Sequence, residues 1–308
     1  MIQRYDKVEN VTTHRDPFDD LCCWISGLRS AAYTREILQS TWHLSVKASR
    51  EPATAIAAHA EAAIQLLDQA RDGAPEVAFL PTYYGLVNLA KIYVILAGRL
   101  ADLEQQRWHG ATHSGALKAS QDLMTDTVTL KGKGAIPLLY TVLTGLKVPR
   151  GNLTLRMSEV YRHIWNVGYE YQRLYGAVQA FQQVHIDFEN APTGGQRLVA
   201  YLSVSDGPLA SKKDLRLLAN FKADASRPNT FVSPSVGGDE AKARATLLSR
   251  VRRSLLIGDV GGWNNMDTWT PVSNRQFLWP EEVPILLAFF HMSNVVRYNP
   301  EFLARLGF

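Results

Sequence analysis

"VHIDFENAPTGGQRLVAYLSVS", residues 184–205, is where the texture of this 308-residue chain changes. Val184, Ile186 and Phe188 alternate with His185, Asp187 and Glu189. After the turn-forming "APTGG", Leu198, Ala200, Leu202 and Val204 fall on one face. Period two on both sides of a Pro/Gly turn predicts a β-hairpin. The residues before it repeat at helical spacing instead. The hairpin therefore separates an all-helical chain from a mainly α chain that carries an α+β insertion.

Upstream, helix follows helix. Asp16-Pro17 opens the first, with Phe18, Leu21, Cys22, Ile25 and Leu28 at helical spacing. Tyr33, Ile37, Leu38 and Trp42 make a second set. The Ala-rich run 53–70 lies between Pro52 and Gly73, and its alanines predict close helix–helix contact. Pro75 and Pro81 bracket the entry to a central helix expected over Thr82 to about Gln106, apolar nearly all round. A polar helix is expected over 114–124, a loop at "LKGKGAIP" (130–137), and helices over 136–146 and 153–175. Downstream of the hairpin, "NTFVSPS" (229–235) and "SLLIGDV" (254–260) read as strands, with helices over 212–221 and 239–253. Helix resumes at Pro280. The expected fold is mainly α: a multi-helix bundle over 1–178, a small α+β insert over 179–276, and C-terminal helices over 277–308 that pack back on the bundle.

Composition narrows the class. With 46% hydrophobic and 20% charged residues the chain is globular rather than disordered. Asn88, Lys91 and Arg99 interrupt its longest apolar stretch, and the first residues lack an apolar leader, so a cytoplasmic protein without a membrane span is expected. Cys22 and Cys23 are neighbours, which disfavours a structural disulfide, and both are expected to be small buried residues. The net charge of +4 is uneven. Residues 196–253 hold eleven Lys or Arg against five Asp or Glu, a local balance of +6. Lys212, Lys213, Arg216, Arg250, Arg252 and Arg253 belong to this segment. They form either a patch for a partner protein, a second copy or nucleic acid, or a solvated face.

Motif chemistry is sparse. "GKGAIP" lacks the spacing of a phosphate loop, and "GDVGGW" that of a dinucleotide fingerprint. No metal or cofactor is expected. His185, Asp187 and Glu189 share a strand face that fits either a divalent ion or plain solvent. Arg156 and His163 are seven apart on an expected helix, two turns along one face. The pair resembles the motif of HEPN-type helical RNases, which implies proton transfer by His163 and charge balance by Arg156 at a phosphate. A further set interrupts apolar helices. Tyr84, Asn88 and Lys91 stand at i, i+4 and i+7 in the central helix. His109-Gly110 follows it. The terminal "FFHMSNVVRYNP" (289–300) carries His291, Ser293, Asn294 and Arg297. Buried polar groups cost about 1–3 kcal/mol if unpaired. The two stripes are expected to meet, either as a staple or as a pocket for an anionic group with Lys91 and Arg297 as its charges.

These residues also carry a resemblance. "LPTYYGLVNLAKIYVIL", "HG", "GAIPLLYTVL" and "FFHMSNVVRYNPEFL" resemble the landmarks of the YaaC-like family of bacterial proteins. The matching positions are Tyr83, Tyr84, Asn88, Lys91, His109, Gly110, Gly134, Ser293, Arg297, Tyr298 and Pro300. The resemblance implies a cytoplasmic, mostly helical bacterial protein and supplies no activity. Arg156 and His163 are similar to the Arg-x(4–6)-His motif of HEPN-type helical RNases, which are found in phage-defence systems. Three functions are therefore expected as alternatives: a binding or assembly subunit contacting a partner protein or nucleic acid, a metal-independent RNase at Arg156/His163, or an anionic-ligand protein.

Overall fold

The computed structural model describes residues 17–113, 122–164, 167, 171, 173–175, 181–191, 197–204, 221–253, 265–271, 280–299 and 301. The chain is mainly helical and divides into two compact units. The first comprises residues 1–142, 146–160 and 285–308; the second comprises 143–145 and 161–284.

In the first unit, α1 (Pro17–Gly27), α2 (Ala31–Ser40), α3 (Arg50–Asp72) and α4 (Pro75–Leu96) follow one another. Ser30 caps α2 by accepting a hydrogen bond from the Tyr33 amide at 3.3 Å. The Ala-rich face of α3 buries Ala53, Ala57, Ala60 and Ala63. It meets α4 closely, because a Cβ on Gly85 would come 2.9 Å from Leu67 Cγ. A His59–Asn88 hydrogen bond of 2.8 Å joins the same two helices. Cys22 is half-buried and Cys23 exposed, which corrects the expectation of a buried pair.

Helix α4 begins at Pro75 rather than Thr82, and Pro81 lies inside it. Proline at the first helical position loses no bond, whereas Pro81 forgoes one. Burial of Tyr83, Val87, Ala90, Val94 and Ile95 outweighs that loss. The helix stops at Leu96, Gly98 turns with φ +75°, and α5 (Leu100–Gln105) follows as a separate element. Residues Glu76–Leu96 are long and apolar enough to cross a membrane by length and composition. Their buried residues face α3 and the last helix.

A three-stranded antiparallel sheet, order β1-β2-β3, was not expected in this unit. It comprises β1 (Ala111–His113), β2 (Thr127–Lys131) and β3 (Asn152–Arg156). The run "NLTLR" is too short for periodicity to separate strand from helix. Pairing with the β-branched "TVTLK" decides for strand, with Leu155 opposite Val128 and Leu153 opposite Leu130. Of the polar helix expected over 114–124, residues 114–121 lie outside the described residues, and Leu123–Thr125 form a 3-10 turn. Helix α6 (Ala135–Thr144) buries Ile136, Leu139 and Tyr140, and α7 (Met157–Arg162) is six residues long.

The second unit is built on the hairpin. Strands β4 (Phe181–Asn190) and β5 (Arg197–Val204) pair antiparallel, with Ile186 opposite Leu202 and Phe188 opposite Ala200. The sheet order is β6-β7-β5-β4-β9, with β8 also on β5. Its other strands are β6 (Lys222–Ala223), β7 (Thr230–Val232), β8 (Val236–Gly237) and β9 (Asn265–Pro271). Strand β9 was not expected. Helix α8 (Glu240–Arg253) lays Ala243 and Leu247 on Val184, Ile186, Ala200 and Leu202. The expected strand 254–260 lies outside the described residues, as does the expected helix except for Phe221. The last helix, α9 (Glu282–Tyr298), ends two residues ahead of Pro300 in sequence.

Candidate functional site

The site grows from a backbone lock in the first unit. Gly110 (φ +89°) and Gly134 (φ +126°) both occupy conformations that favour glycine. They also touch: a Cβ on Gly134 would lie 2.5 Å from Gly110 Cα, and one on Gly110 would lie 2.4 Å from Pro137 Cδ. The Trp108 and His109 carbonyls accept the first amides of α6, from Ala135 and Ile136, each at 3.0 Å. Gln106 Oε1 accepts from the Gly134 amide at 2.7 Å. His109 is thereby held at the entrance to β1.

The His109 ring lies 5.1 Å from Phe290 of α9 and 5.8 Å, edge-on, from Tyr83 of α4. Tyr83 and Phe290 also meet, at 5.4 Å. Burial pushes the His109 imidazole down, and the positive charges of Arg297 and Lys91 push it further. Those two cations therefore share its neighbourhood. Burial also pushes the Lys91 ammonium below its usual value. Among the described residues neither Lys91 nor Arg297 has a carboxylate partner. Tyr83 is 1% exposed, and its hydroxyl is buried without a hydrogen-bond partner among the described residues. Burial pushes this phenol up, Tyr84 adds to the shift, and the Arg297 charge opposes it. Two cations without a carboxylate partner among the described residues, a neutral imidazole and an unmatched hydroxyl make a set of donors suited to an oxyanion.

Other members of the expected set are spent locally. Asn88 donates to the Tyr84 carbonyl at 2.8 Å and faces His59. Tyr84 is 39% exposed beside Tyr83. Ser293 Oγ and Asn294 Nδ2 donate to the Phe290 carbonyl at 2.8 and 2.7 Å. Arg297 donates to the Ser293 carbonyl at 3.1 Å and to Asn294 Oδ1 at 3.3 Å. Helices α4 and α9 meet through rings, Phe79–Phe289 and Tyr83–Phe290, where the two stripes were expected to meet as a staple or as a pocket. Side chains that bond back to their own helix satisfy themselves without a partner element. A cavity of about 400 Å³ opens elsewhere in the unit. Glu51 and Glu104 are the only charged side chains lining it, so it offers no cation.

A second polar cluster was not expected. His113 at the end of β1 and His291 on α9 both place Nε2 on the same oxygen of Asp126, at 2.6 and 2.8 Å. The side chains are 1%, 0% and 5% exposed, in the order His113, His291, Asp126. The Thr127 amide donates to Asp126 Oδ1 at 2.7 Å, and the Met157 amide to the Asp126 carbonyl at 2.8 Å. Burial raises the Asp126 carboxyl, yet the bonds from His113, His291 and Thr127 outweigh it and hold the group well below the usual carboxylate range. Burial pushes the His291 imidazole down against the pull of Asp126. His291 carried a sequence signal, as a polar residue within an apolar helix. His113 and Asp126 carried none: they stand 13 residues apart with no ligand-type spacing, and His291 lies 165 residues beyond Asp126.

The remaining expected sites fare differently. Arg156 closes β3 and His163 follows α7, so the two do not share a helix, which corrects the expected two-turn spacing. Arg156 is exposed and His163 is 2% exposed. Glu189 is held by Arg227 in a two-pronged bond at 2.8 and 2.9 Å, while His185 meets Asp187 at 3.2 Å. Lys212, Lys213 and Arg216 lie outside the described residues. Arg250, Arg252 and Arg253 stand on the last turns of α8.

No curated protein and no solved structure matches the chain. A family model does: the one described as "YaaC-like Protein" matches residues 26–307. That span takes in the Tyr-Tyr helix, the His109-Gly110 and Gly134 lock, and the Ser293–Arg297 helix. The chain belongs to the YaaC-like family.

Proposed function

We propose that the protein binds a small phosphate-bearing anion at Tyr83, Lys91, His109 and Arg297. The observation that carries this reading is the buried, unmatched Tyr83 hydroxyl, which feels the Arg297 charge and packs on His109, a ring that feels both Arg297 and Lys91. A buried hydroxyl left unpaired costs about 1–3 kcal/mol, and a desolvated ammonium adds to that cost. An oxyanion offsets both at once. Two positive charges favour a dianion over a monocarboxylate, which points to phosphate chemistry. The exposed Tyr84 ring supplies a flat apolar neighbour for whatever the phosphate is attached to.

The experiment is a thermal-shift series with inorganic phosphate, pyrophosphate and mononucleotides, at low and high salt. A ligand at about 100 times its dissociation constant stabilises by about 2.7 kcal/mol. The stabilisation is expected to vanish in Lys91→Met and Arg297→Met while both variants remain folded. If both variants keep the ligand response, the reading fails.

A further inference from the structure

The structure assigns a second site to the same unit: we infer that His113 Nε2, His291 Nε2 and the Asp126 carboxylate bind one divalent transition-metal ion. The inference stands on different residues from the anion site and does not rest on it. Three ligand atoms of the right kinds already lie within 4.8 Å of one another. Both histidines aim at one oxygen, Oδ2, although Asp126 has two. Its second oxygen is held by the Thr127 amide, and its backbone carbonyl by Met157. A supporting shell of this sort fixes a ligating carboxylate in orientation.

Charge argues the same way. The buried carboxylate needs a positive partner, and among the described residues no Lys or Arg reaches it. Asp126 brings the negative charge of a carboxylate into a nearly dry place. A divalent cation cancels that charge and uses a lone pair from each ring. Two imidazoles with one carboxylate suit zinc and its first-row neighbours, not magnesium or calcium. Metal–ligand bonds of about 2.0–2.1 Å put tetrahedral ligand atoms about 3.3 Å apart. The His–Asp distances of 2.6 and 2.8 Å would therefore lengthen by about 0.5–0.7 Å on binding. Each ring would ligate through its Nε2 lone pair, with the ring proton on Nδ1. Three protein ligands leave a tetrahedral ion one position for water or another donor. The ion would also tie α9 to the β1–β2 part of the small sheet, from which it is far apart in sequence.

The test is cobalt(II) titration of the chelator-treated full chain, followed by visible absorption. We expect a single saturable set of ligand-field bands that zinc displaces, and a melting temperature raised by zinc. Asp126→Asn and His113→Gln should lose the bands. His185→Ala, which removes the exposed His185–Asp187 pair, should keep them. X-ray absorption at the cobalt edge of the wild type needs no variant and should show two imidazoles in the first shell. No bands from the folded wild type, an oxygen-only shell, or bands that survive both substitutions would overturn the inference and leave the trio as a hydrogen-bonded tie.

Discussion

Tyr83 is unusual among the buried residues because its ring is satisfied and its hydroxyl is not. Its ring meets Tyr84, His109 and Phe290, while the oxygen meets nothing among the described residues. Tyr83→Phe is therefore expected to stabilise the ligand-free protein by about 1 kcal/mol, read by urea denaturation, while weakening anion binding. Gly110→Ala is expected to do the opposite. Its Cβ would overlap Pro137 and the Lys133 carbonyl at a positive φ, costing about 2–4 kcal/mol. His59 and His109 give a pH dependence. Burial lowers both below the ordinary imidazole value of about 6.5, so the unfolded chain takes up protons first as pH falls. Their contribution to stability is complete above that value and declines below it, towards the folded pKa values. Denaturation midpoints at pH 7.5, 6.5 and 5.5, compared between wild type and His109→Gln, check this (roughly the window of histidine titration). At this scale the cations of the site were legible, because a Lys or Arg inside an apolar helix asks for an explanation. His113 and Asp126 were not, because no spacing rule links positions in different elements.

Among the elements, α9 carries the most consequence. Its Phe290 is 5% exposed and touches both Tyr83 and His109, and its next residue, His291, reaches Asp126. Phe290→Ala should cost about 3–5 kcal/mol and lower anion affinity by releasing His109, measured by denaturation and by calorimetry on the same variant. The hairpin β4–β5 was legible because alternation over two long strands leaves little ambiguity. Strand β3 was not, since five residues with two leucines fit either period, and the deciding partner, β2, lies more than twenty residues earlier. Pro81 misled for a related reason. Local chemistry places a helix start there, but the burial of α4 overrides the one lost bond.

For the whole molecule, the mainly α class was legible, and so was the change of texture that the second unit carries. The first unit's small sheet was hidden, and with it the strand that presents His113. The basic segment 196–253 stays a charge pattern whose contact with a partner or nucleic acid rests on composition alone. The proposed anion site joins an unmatched hydroxyl to the charges around His109, and its central claim is open to one direct measurement: calorimetric titration of pyrophosphate into wild type, Lys91→Met and Arg297→Met. The account predicts saturable, salt-sensitive binding by the wild type and its loss in both variants. Heat that is absent in the wild type, or unchanged in the variants, would contradict it.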